Sequence, residues 1–113
     1  MAIKEKLYED VAVLTISGNL MGEPETTKVR EAVYSLLEDD VKKIVLDLKG
    51  VKWMNSTGLG CLISCLTSVK SKNGVLVLSN VAEKIESLFM ITQLVKVFKT
   101  FETNDRAVAS FKK

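Results

Sequence analysis

The sequence predicts an α/β fold: a mixed, mostly parallel sheet of about five strands with about four helices, in the order β-β-α-β-α-β-α-β-α. Three observations predict it. The runs Val11–Ser17, Ile44–Leu48 and Val75–Leu78 are apolar on both faces, as strands covered on both sides must be. They alternate with longer segments whose apolar residues recur at helical spacing. Glycine, asparagine, aspartate and a single proline fall between these segments. Strands alternating with helices imply parallel pairing through right-handed crossovers.

Ile3–Tyr8 and Val11–Ser17 are separated only by Glu9-Asp10, so they form an antiparallel hairpin. Gly18-Asn19-Leu20-Met21-Gly22 is a loop holding two apolar side chains between its glycines. Pro24 suits the first turn of a helix, and Glu23 and Glu25 suit the positive end of its dipole. Val29, Ala32, Val33, Leu36 and Leu37 form that helix's inner face, and Glu38-Asp39-Asp40 ends it. Ile44–Leu48 is the next strand, with Asp47 as its one acid. Gly50 bends the chain, and Val51–Met54 extends it to a turn at Asn55.

A central helix follows, with Leu59, Leu62, Ile63, Leu66 and Val69 on one face, running to about Lys72 and stopped by Asn73-Gly74. Val75–Leu78 is an interior strand. Asn80 is positioned to cap a third helix, roughly Ala82 to Ile91, whose inner face is Ile85, Leu88 and Phe89. Val97–Phe101 reads as a last strand. Thr103 or Asn104 caps a short final helix with Ala107, Val108 and Phe111 facing in.

Composition narrows the function. The chain has 113 residues, which fits one domain over 1–113, and its 47% apolar content supports a packed core. Sixteen basic and fourteen acidic residues leave a net charge of +2, and the basic pairs are scattered, so no nucleic-acid partner is expected. Met1–Glu9 lacks the apolar run of a signal peptide. No run approaches the ~20 apolar residues that span a bilayer, so no membrane partner is expected. A cytoplasmic location fits two unpaired cysteines. With no histidine present, neither Ser56 nor a thiol has that base to activate it. Cys61 and Cys65 lack the neighbours of a metal site and read as small core residues. Thr57-Gly58-Leu59-Gly60 lacks the Gly-Lys-Ser/Thr ending of a phosphate-binding loop. Asp47 stands alone, where a phospho-receiver needs clustered acids. The chain is therefore expected to be no enzyme and to need no cofactor or metal.

The informative stretch is Val51 to Leu66, where a strand passes through Asn55, Ser56 and Thr57 into the central helix. A hydroxyl there lies beside amides that have no partner within the helix, where the dipole tolerates negative charge. Residues alone leave two readings open: a helix cap, or an acceptor for a phosphate added by another enzyme. Trp53 and Met54, like Leu20 and Met21, are either docking groups or core.

Asp47-Leu48-Lys49-Gly50-Val51-Lys52-Trp53-Met54-Asn55-Ser56-Thr57-Gly58-Leu59-Gly60 resembles the signature of STAS domains, specifically bacterial anti-sigma factor antagonists. Ile16-Ser17-Gly18, Asn73-Gly74 and Leu88-Phe89 extend the resemblance over nearly the whole chain. The resemblance implies a partner-switching protein. Its unmodified form would bind an anti-sigma factor that is a serine kinase, releasing a sigma factor and so regulating transcription. Phosphorylation of Ser56, with Thr57 as a secondary acceptor, would end binding, and a serine phosphatase would restore it. Met21, Trp53, Asn55, Ser56, Thr57 and Gly58 would form the partner surface. The chain departs from the family pattern at Asn55, where aspartate is usual, and at Gly18-Asn19-Leu20-Met21, where Gly-Glu-Leu/Ile-Asp is usual. These departures leave room for a non-switching STAS subunit of a signalling or transport complex, and the helix N-terminus leaves room for a nucleotide- or ligand-binding STAS domain.

Overall fold

Even-numbered and odd-numbered side chains of the interior strands enter two different cores, because successive strand residues point to opposite sheet faces. The computed structural model of the chain describes residues 2–112. Met1 and Lys113, the ends of the expected 1–113 unit, lie outside the described residues. Strands β1 (Ala2–Tyr8) and β2 (Val11–Ser17) form the expected antiparallel hairpin. Strands β3 (Lys43–Gly50), β4 (Val75–Ser79) and β5 (Thr100–Phe101) then add in parallel, giving the order β1-β2-β3-β4-β5.

Helices α1 (Glu25–Glu38), α2 (Ser56–Ser71) and α3 (Glu83–Ile91) bury their apolar stripes on one face, over Ala12, Leu14, Ile16, Ile44, Leu46, Leu76 and Leu78. The short helix α4 (Asn104–Ala109) lays Ala107 and Val108 on the other face, over Val11, Val13, Val45 and Val77. This explains why β2 is apolar on both sides.

Three expectations are corrected. Ile63 was expected inside but is 41% exposed, while Cys61 and Cys65 face the core. The helix turns its small thiols, rather than a branched side chain, towards its neighbour, and the Cys61 thiol contacts the Thr26 carbonyl oxygen at 3.3 Å. The last strand is not Val97–Phe101; Leu94–Lys96 make a 3₁₀ turn first. Phe98 leaves the sheet edge to stack on Phe89, ring centroids 5.8 Å apart, which shortens the strand. Asn80 does not cap α3. Its backbone is left-handed (φ 53°) and its amide goes to Asp47, so α3 starts at Glu83 behind Ala82 without a side-chain cap bond.

Asp47 is surrounded by donors rather than by other acids. It is 3% exposed and accepts hydrogen bonds from Thr15, Asn80, Asn104 and the Lys49 N–H at 2.9–3.0 Å. Thr15, Asp47 and Ser79 lie side by side across β2, β3 and β4. Ser79 completes the cluster by donating to Asn104. A buried carboxylate persists only where donors surround it.

Candidate functional site at the start of the central helix

Parallel pairing puts the carboxyl ends of β2 and β3 on one side of the molecule, which brings the Gly18–Gly22 loop against Val51–Asn55. The two segments are sewn together. The Gly18 N–H donates to the Gly50 carbonyl (3.0 Å), Leu20 to Trp53 (3.2 Å), and Asn55 to Leu20 (3.3 Å). Leu20 and Met54 form an isolated parallel bridge, and both side chains are fully buried. They are core. Their neighbours Met21 and Trp53 are 47% and 40% exposed and flank the helix start.

Asn55 is the residue that begins α2. Its backbone is extended and its Oδ1 accepts from the Gly58 N–H at 3.0 Å. Its Nδ2 donates to the Met21 carbonyl oxygen at 2.8 Å. The capping role considered for Ser56 therefore belongs to Asn55. Ser56 is the first helical residue, and it and Thr57 are exposed. Neither hydroxyl takes part in a hydrogen bond among the described residues, whereas a capping hydroxyl would.

Gly58 does not lie on the surface. A Cβ there would meet the Leu20 carbonyl oxygen at 2.2 Å and the Met54 Cβ at 2.9 Å, so the helix can approach the loop only through glycine. Met21, Trp53, Asn55, Ser56 and Thr57 are thus brought together at one end of the sheet, and Gly58 lies beneath them as the packing contact. Sequence reasoning missed Asn19 as a strut. Its Oδ1 accepts from the Lys52 and Trp53 N–H groups at 3.3 and 3.1 Å. A short amide directly after a strand-ending glycine was the available signal.

Local electrostatics are mild. The Thr26 and Thr27 hydroxyls hold the exposed Glu23 carboxyl below the usual range, with the Thr27 N–H and Arg30 assisting. The Cys65 thiol is pushed up by the neighbouring Cys61 thiol and by burial, which makes it a poor nucleophile. Among the described residues, no group of three or more His, Cys, Asp or Glu is placed to hold a metal ion. No helix among them is long and apolar enough to cross a membrane. What the site offers chemically is an exposed hydroxyl at the start of α2, at the end of the molecule that also exposes Met21 and Trp53.

The family model of the STAS domain matches residues 2–107. The chain belongs to the STAS domain family. Within it, this STAS domain is 35% identical over 82 residues to the anti-sigma-B factor antagonist of Bacillus subtilis, covering 70% of this chain and 74% of the relative. Its fold matches that of TM1081 from Thermotoga maritima with a TM-score of 0.87 at 24% identity, covering 98% and 95% of the two chains. It also matches the Bacillus anti-sigma factor antagonist SpoIIAA in its unphosphorylated form, with a TM-score of 0.76 at 15% identity and 98% of each chain covered. SpoIIAA in its phosphorylated form matches with a TM-score of 0.75 at 15% identity, covering 97% and 99%.

Proposed function

We propose that this STAS domain is an anti-sigma factor antagonist, a binding module rather than a catalyst, controlled by phosphorylation of Ser56. In this reading the unmodified surface of Met21, Trp53, Asn55, Ser56 and Thr57 docks an anti-sigma factor that is also a serine kinase. Docking frees a sigma factor in the cytoplasm. Phosphorylation of Ser56, with Thr57 as a secondary acceptor, ends docking, and a serine phosphatase reverses it.

The observation that carries this reading is the division of labour between Asn55 and Ser56. Asn55 caps the helix, so the Ser56 hydroxyl is spared for other use while held at the positive end of α2. A phosphate there adds about −1.5 to −2 charge and three acceptor oxygens. The helix end accommodates that charge, but a partner surface shaped around a neutral hydroxyl and two apolar side chains does not. Relatives named as anti-sigma factor antagonists support the partner class.

The test is incubation with candidate anti-sigma kinases from the same genome, with phosphate mapped by mass spectrometry. Phosphate on Ser56 is expected, and loss of kinase binding in Ser56→Asp with its fold retained. Ser56 left untouched by every kinase, or undiminished binding by Ser56→Asp, would count against the switch. Ser56→Ala separates this reading from that of a non-switching subunit, since it removes modification while leaving the cap intact.

A further inference from the structure

Both ends of the Asn55 amide are in use, and they do different things. Oδ1 accepts from the Gly58 N–H within the helix start, and Nδ2 reaches the Met21 carbonyl oxygen 34 residues away in sequence. Aspartate or serine can make the first bond, since both rank with asparagine as helix caps. Neither can replace the second. An ionised carboxylate only accepts hydrogen bonds, and a serine hydroxyl that caps the helix sits on a shorter side chain.

The loop is held on either side of this point by backbone bonds, Asn55 N–H to the Leu20 carbonyl (3.3 Å) and Thr26 N–H to the Gly22 carbonyl (3.1 Å). Leu20 is anchored in the core, but Met21 points outward. Around Gly22, nothing lies within 4 Å of where a Cβ would be, so side-chain packing adds nothing to those backbone bonds there. At Met21 itself, the hydrogen bond among the described residues that holds the carbonyl is the one from the Asn55 amide at 2.8 Å, and the Met21 side chain is one of the two exposed apolar groups at this end of the molecule.

We propose that Asn55 is a positioning residue of the binding surface: its Nδ2–H clasps the Met21 carbonyl, so that Met21 and Ser56 are presented together before any partner arrives. The proposal rests on the reading that this end of the molecule docks a partner. Its physical content is pre-organisation, because a segment already fixed in its bound conformation has less entropy to lose on association. Aspartate at this position would keep the helix start and release the loop.

The test uses the full chain and two variants that retain a cap, Asn55→Asp and the neutral Asn55→Ser. By NMR relaxation, the Met21 and Gly22 backbone order parameters are expected to fall in both variants from about 0.85 towards 0.6. The Gly58 amide environment and the unfolding midpoint should stay near wild type. Unchanged order parameters at Met21 and Gly22 in both variants would overturn the clasp, whatever the partner.

A second measurement uses the anti-sigma kinase that binds the wild-type chain. Asn55→Ser is expected to weaken binding about 10-fold in the wild-type background and less than about 2-fold in a Met21→Ala background, because the effect runs through Met21. Equal losses in both backgrounds would mean that Asn55 acts on binding independently of Met21 and would overturn the positioning role. A wild-type chain that binds no anti-sigma kinase would overturn the partner reading instead, with the relaxation data still deciding the clasp.

Discussion

Gly58 and Gly60 lie within one turn of α2 and answer to opposite constraints. A methyl group at Gly58 would enter the Leu20 carbonyl oxygen, which is backbone and cannot move aside, whereas Gly60 has nothing within 4 Å. Gly58→Ala is expected to cost about 2–3 kcal/mol through forced separation of loop and helix. Gly60→Ala is expected to gain about 0.5–1 kcal/mol, the helical preference of alanine. Chemical denaturation of both variants checks the pair. The same experiment separates Asn55 from Ser56. Asn55→Ala should lose about 1 kcal/mol with its cap. Ser56→Ala should stay within about 0.5 kcal/mol, as a surface change away from any cap. A large loss in Ser56→Ala would return the capping role to the serine. At this scale the sequence showed that a hydroxyl stood at a helix start but not which neighbour capped it. Asn55, Ser56 and Thr57 are all cap-forming types, and only the backbone path distinguishes them.

At the scale of elements, the carboxyl ends of β2, β3 and β4 are tied to α4 and to the β4–α3 turn through one carboxylate. Burial works against the charge of Asp47, but donation from Asn104, Asn80, the Lys49 N–H and Thr15 outweighs it and holds the group below the usual carboxylate range. The sign of the pH effect follows. A group whose native pKa is depressed adds stability that is complete above its unfolded pKa and lost as pH falls through the native one. Stability of the wild type should therefore decline on acidification below about pH 4, and Asp47→Asn should flatten that part of the profile. At neutral pH the same substitution should cost about 1–3 kcal/mol, since an amide turns a donor towards donors. Unfolding curves of both proteins across the acid range measure both effects. A parallel pH dependence in the two would remove Asp47 as the source. The cluster also explains why Asn80 was misread as a helix cap. Capping and binding a buried carboxylate use the same side chain, and the carboxylate lies in a strand distant in sequence.

At the scale of the whole molecule, a single sheet separates two cores, and neither can persist without it. The larger holds α1, α2 and α3, and the smaller holds α4. Because every strand from β2 to β4 contributes side chains to both, loss of one core exposes the back of the other. Unfolding followed by far-UV circular dichroism and by an NMR probe on Val108 is expected to give coincident transitions. An early transition at Val108 alone would show α4 to be an independent unit. Exposed ion pairs such as Lys43–Asp10 and Arg106–Glu102 should contribute little, so added salt should leave the midpoint almost unchanged.

Periodicity determined the element order, the hairpin, the helical stripes of α1 and α3 and the cut between helix and strand. These follow from local geometry, because a repeat of two or of 3.6 residues is written along the chain itself. The resemblance around Asp47–Gly60 is what singled out the turn before α2 as the candidate site. Tertiary structure alone decided which of Leu20, Met21, Trp53 and Met54 is core and which is surface, because each pair is adjacent in sequence and the bridge between Leu20 and Met54 selects the buried members. It also decided that Asn55 caps, that Ser56 is spared, and that Gly58 is a contact rather than a surface residue. Each of those outcomes depends on the Gly18–Gly22 loop lying against a helix that starts more than thirty residues later. Hydrogen bonds and close approaches of that span leave no local pattern, since the partner can be any residue that the fold brings near.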